Sequence, residues 1–192
     1  MALVLFVRVG WMKRYRGPQP DDPRPVGSGK HCSRAVGHEV FNFLVMDGRV
    51  RAHCLPVLRP REIRQENPPS VRLERIQSGF TGDVLSGVLV VFVATRPKLG
   101  GQRIIGRFRN ATVYRHEQPS NSKERDCFPY SIEALAEDAL LVPAERRSFV
   151  IPRRQRCFWG GQCLLSAQFR WLPEERGAVD GWGCRIRRFL PA

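Results

Sequence analysis

Hydrophobic positions in this chain fall into short runs that alternate or cluster, separated by glycine, proline and charged turns. The most apolar run is 85–95, LSGVLVVFVAT, which predicts a strand buried on both faces. The next stretch, 103–115 (RIIGRFRNATVYR), predicts a strand, a tight turn at Arg109-Asn110 and a returning strand. Ile104 and Ile105 start it, Gly106 kinks it, and 111–114 alternate. Residues 3–9 predict a first strand ended by Gly10. Residues 37–43 (GHEVFNF) predict another, with Val40 and Asn42 on one face and Phe41 and Phe43 on the other. Asp47-Gly48 marks a hairpin turn, with 49–55 as the return.

Further along, 71–76 (VRLERI) alternates as a strand, and 116–126 is a polar, flexible loop. Residues 130–142 carry both helix and strand signals. Pro143 to Arg147 suits one helical turn, 148–152 a short strand, and 164–171 a terminal helix or strand. Pro/Gly-rich 17–29 is a mobile loop, and 56–69 a long connection with four prolines. Seven or eight short strands with little helix predict a mainly β (α+β) fold: a small curved sheet or β-barrel with a few short helices. Residues 1–172 are expected to form one domain and 173–192 a C-terminal tail.

The chain has 192 residues, enough for one domain with a substantial core. Charge changes the picture most. Lys and Arg number 32 against 18 Asp and Glu, a net charge of +14. A field of this sign favours a polyanionic partner, with nucleic acid first among candidates. Arginine dominates over lysine, which suits bidentate phosphate and guanine contacts but also follows from a GC-rich genome. Trp11 and Tyr15 interleave with Lys13, Arg14 and Arg16, a pattern suited to bases and phosphates and equally to packed aromatics with snorkelling cations.

Six cysteines contain no C-x-x-C pair. The His31-Cys32 and His53-Cys54 couples are weak metal spacing, so neither a metal site nor a cofactor is expected. Residues 2–7 read as a strand rather than a signal peptide. With no run long enough for a transmembrane helix, the expected location is the cytoplasm, with reduced thiols and no membrane partner.

Six blocks taken together, GWMKRY (10–15), GHEVFNF (37–43), VRLERI (71–76), GVLVVFVATRP (87–97), IIGRFRNATVYR (104–115) and AEDALLVPAERRSFVIPR (136–153), resemble a bacterial domain found ahead of HNH nuclease domains in modification-dependent restriction and defence proteins. That domain is similar to the PUA-like superfamily, which includes the EVE, YTH and SRA readers of modified bases. The resemblance covers residues 5–155. It implies a PUA-like reader that holds DNA, modified or plain, with RNA as the alternative polymer and a separate nuclease subunit as a partner. Two aromatic places of the family block hold Arg107 and Phe108 here; if the first ring belongs to the base pocket, Arg107 either weakens that pocket or replaces stacking by a guanidinium plane. No histidine follows Trp171, so no histidine-metal nuclease motif assembles in the tail.

The candidate base pocket is Trp11, Tyr15, Phe41, Asn42, Asn110 and Tyr114: amides for an adenine-like edge, rings for stacking. Core packing is the competing role for each ring. Lys13, Arg14, Arg107, Arg109, Arg153 and Arg154 are the candidate phosphate contacts. An enzyme reading rests on adjacent His38 and Glu39 with a metal, as a nuclease, and lacks the further converging groups that catalysis needs.

Overall fold

A computed structural model describes residues 3–27, 37–54, 70–151 and the backbone of 169–170. The protein is mainly β, built on a curved, open sheet. Its strands are β1 (Val4–Val9), β2 (Val45–Met46), β3 (Arg49–Ala52), β4 (Val84–Thr95), β5 (Gln102–Gln118), β6 (Tyr130–Leu135), β7 (Ala139–Leu141) and β8 (Phe169–Arg170). Their order across the sheet is β2-β3-β6-β5-β4-β1-β8, with β7 paired to part of β5. Among the described residues only β1 and β4 run parallel; the other pairs are antiparallel. The path has two ends, so the barrel alternative is not realised among the described residues. Helical structure there is confined to single 3₁₀ turns, and no helix is long and apolar enough to cross a membrane.

Alternation explains where the core lies. Leu5, Val7 and Val9 of β1 join Val88, Val90, Phe92 and Ala94 of β4 beneath one face. Ile105, Phe108, Ala111 and Val113 of β5 and Ile132 and Ala134 of β6 complete that layer. Phe43, Phe92 and Phe108 pack edge to face at its centre, with ring centroids 4.7–5.2 Å apart. A smaller cluster, Val91, Val93 and Ile104, lies on the opposite face. It explains why β4 reads as a continuous apolar run: both of its faces are covered.

The main difference from the pattern expected for 103–115 is that no turn occurs there. β5 runs through Asn110 without reversing, and the actual hairpin turns at 96–101. Asn110 has φ of 47°. Val88 pairs with Ala111 and Val90 with Phe108, so β5 carries one extra residue in a bulge. Asparagine tolerates the left-handed region, and that tolerance looks the same in sequence whether it serves a turn or a bulge.

Two expected strands are 3₁₀ turns instead. The first, His38–Phe41, leads into consecutive buried side chains where a strand would expose every second one; the second, Leu73–Arg75, buries Leu73 and leaves Glu74 and Arg75 exposed. Val40, Phe41, Asn42 and Phe43 are all buried. Of the strand expected over 148–152, the described residues 148–151 provide one bridge, Val150 to Arg103. The loop 17–27 is pinned rather than loose: Asp22 accepts from the Lys13 and Arg14 amides, and Val26 bridges Trp11. The Asp47-Gly48 turn is as expected, both residues having positive φ. Residues 130–142 resolve into β6, a 3₁₀ turn and β7. Along 116–126, β5 extends to Gln118 and a 3₁₀ turn follows.

That turn carries Arg125, which is fully buried. Its guanidinium donates to the carbonyls of Phe41, Arg51, Phe128 and Pro129. Burial pushes its pKa down to about 10, which leaves it protonated at neutral pH. Arg147, 2% exposed, plays a matching part: it donates to Met12, Lys13 and Val142 carbonyls and lies over the Trp11 ring. Neither arginine is available to a phosphate.

Candidate nucleic-acid interface and a histidine-carboxylate cluster

The six base-pocket candidates do not converge. Tyr15 is wholly buried; its hydroxyl donates to the Gly10 carbonyl and accepts from the Met12 amide at 3.1 Å. Phe41 lies in the core. Asn42 is also buried, and its Oδ1 accepts from the His53 amide at 2.9 Å. Phe41 and Asn42 are interior because the 3₁₀ turn at 38–41 rolls them inward, Tyr15 is held inside by its own bonds to Gly10 and Met12, and a base cannot reach any of the three. Trp11 is half-buried, its ring covered by Arg147 at 5.0 Å. Asn110 is exposed on its bulge, 3.5 Å from the Asp138 carboxylate. Tyr114 is half-buried on β5.

Tyr114 belongs to a different constellation. The alternation that buries Val50, Ala52, Ile132, Ala134 and Val113 turns the intervening residues of β3, β6 and β5 to the outer face. There Arg51 pairs with Glu133, and Glu133 with Thr112, across three adjacent strands. The Tyr114 and Tyr130 rings meet edge to face at 6.0 Å, and the Arg51 guanidinium lies 5.3 Å over Tyr130. Arg49 and Arg51 both bind Glu133, each at 2.8 Å. The Glu133 hydrogen bond raises the Arg51 pKa. Arg49, Arg51 and Tyr130 were not singled out from sequence. The signal was present as β3's polar alternation, but locating its partners required the β3-β6-β5 order.

The phosphate candidates are placed in pairs. Lys13 and Arg14 both bind Asp21, at 3.1 and 2.9 Å, on the surface. Arg109 lies 3.4 Å from Asp138, and Arg107 senses both: burial and the Arg109 charge lower its pKa while Asp138 raises it. Arg153 and Arg154 lie outside the described residues, as does 173–192. Asp21, Glu133 and Asp138 thus each face two cations. Arg115 is the opposite case, shared by Glu74 and Asp83 at 3.0 Å each.

His38 and Glu39 do not act together. The Glu39 carboxylate accepts from the Gly10 amide at 3.2 and 3.3 Å. His38 instead meets His53 edge to face at 4.5 Å and stacks on Phe128 at 4.3 Å. His53 Nε2 lies 2.8 Å from Glu117 Oε1. The hydrogen bond from His53 holds the Glu117 carboxyl below its usual range against the cost of burial. His38, His53 and Glu117 come from three separate segments, so no sequence spacing signalled the cluster. The neighbouring Cys54 thiol is buried, which pushes its pKa well up.

Comparison with known proteins gives no match: no family model, no curated protein and no solved structure is significantly similar to this chain.

Proposed function

We propose that the protein is a nucleic-acid-binding module whose contact surface is the outer face of β3, β6 and β5. The observation that carries this reading is Tyr114 and Tyr130 set among Arg49 and Arg51, with one carboxylate for the two cations. Half-exposed rings on a sheet serve as stacking surfaces for unpaired or extruded bases, and arginines beside them track the phosphates. The net charge of +14 supplies the long-range attraction. Lys13, Arg14, Arg107 and Arg109 extend the phosphate-binding surface.

This reading keeps the polymer and relocates the base. A PUA-like reader of modified DNA, as the sequence resemblance implies, needs a pocket for a flipped base. With Tyr15, Phe41 and Asn42 in the interior, the proposed base contact moves to Tyr114 and Tyr130. Work in the cytoplasm beside a separate nuclease subunit fits such a module, and Cys54 and Cys127 are free thiols.

The test is fluorescence anisotropy of labelled single-stranded DNA, single-stranded RNA and duplex DNA, plain and methylated. The single strands are expected to bind most tightly, with Tyr114→Ala and Tyr130→Ala each weakening them about 5- to 100-fold. Equal binding of all polymers, unchanged in both variants, would refute the stacking surface.

A further inference from the structure

We propose that His38, His53 and Glu117 form a binding site for one zinc-class divalent cation, with a remaining coordination position open to solvent. Two imidazoles and one carboxylate make the donor set that a borderline cation such as zinc accepts, and three protein ligands leave a fourth position for water. The ligating atoms all lie within 4.8 Å of one another. Around a tetrahedral zinc, bonds of about 2.0–2.1 Å place ligand atoms roughly 3.3 Å apart. Side-chain rotations that close the widest separation by at most about 1.5 Å therefore complete the set, and the 2.8 Å contact between His53 and Glu117 opens slightly.

The surroundings favour a built site over a chance meeting of side chains. The His53 backbone is tied in place, and so are residues around His38. The Asn42 side-chain oxygen accepts from the His53 backbone N–H, and buried Arg125 fastens the Phe41, Arg51 and Phe128 carbonyls around the two histidines. Phe128 stacks on His38 and fixes its ring plane. Held orientation of this kind is what sets ligand geometry in metal sites. The cluster is also reachable: His53 and Glu117 side chains are 20% and 32% exposed. Cys54 turns inward to the core and takes no part.

The experiment titrates the full chain, stripped with chelator and kept reduced, with zinc alone against a chromophoric competitor. Cobalt substitution then reports the ligand type. One zinc per chain is expected, and the cobalt form should show visible d–d bands without a thiolate charge-transfer band. E117Q keeps a hydrogen bond to His53 and should retain the zinc-free melting temperature while losing more than about tenfold in zinc affinity. H53A should abolish binding. No zinc binding by the wild type, binding indifferent to E117Q and H53A, or a thiolate band would each overturn the proposal. Should H53A fail to fold, E117Q decides it.

Discussion

Four backbone carbonyls converge on the Arg125 guanidinium, and no carboxylate among the described residues is bonded to it. Its replacement leaves those buried acceptors without a donor. Arg125→Met is therefore expected to cost about 2–4 kcal/mol in urea denaturation; an unchanged midpoint would show that the carbonyls find other partners. Tyr15 gives a pH signature. Burial raises its phenol above the ordinary 10, so the stabilisation is complete below pH 10 and is lost as pH rises towards the folded value. Stability should fall by about 1.4 kcal/mol per pH unit above pH 10 from this group. Alkaline absorbance titration should show one of the three tyrosines ionising only as the protein unfolds. Normal titration of all three below the unfolding transition would contradict the burial. At this scale the sequence was hardest to read. Arg125 and Arg147 look like surface cations in polar stretches, because arginine's type does not say whether its partners are water or carbonyls.

β5 is the element that shapes the sheet. Its N-terminal part pairs with β4 and β7 and its C-terminal part with β4 and β6. The bulge at Asn110 lies between these regions and re-aims the strand. Asn110→Gly should be tolerated in thermal melts, whereas Asn110→Val should lose on the order of 1 kcal/mol, since a β-branched residue resists positive φ. Equal stability of the two would mean that the left-handed conformation is not required. Gly106 has another reason: a Cβ there would stand 2.6 Å from the Leu140 carbonyl oxygen and 2.6 Å from the Phe43 ring. Gly106→Ala should cost about 1–3 kcal/mol, and a neutral result would mean that β7 can move aside. Strand existence was largely legible here: β1, β4 and the Asp47-Gly48 hairpin follow from alternation, apolar runs and turn chemistry. The errors at 38–41, 71–76 and 109–110 share a cause. Over six residues, period two cannot distinguish a strand from a 3₁₀ turn that buries its apolar residues, nor a bulge from a reversal.

For the molecule as a whole, charge and topology act together. The net +14 was readable at once, but the surface that it serves was not. Tyr114, Tyr130, Arg49 and Arg51 lie up to 81 positions apart in the chain and meet only because β6 inserts between β3 and β5. The same long-range folding brings His38, His53 and Glu117 together. The central claim is that a stacking surface backed by arginines holds nucleic acid. The most direct measurement is the salt dependence of single-strand binding for the wild type, Tyr114→Ala and Arg51→Ala. A steep wild-type fall in affinity with salt is expected; Tyr114→Ala should shift the line down without changing its slope, and Arg51→Ala should flatten the slope by about 0.7. Lines that coincide for all three proteins would contradict the account and return the binding to charge spread over the whole surface.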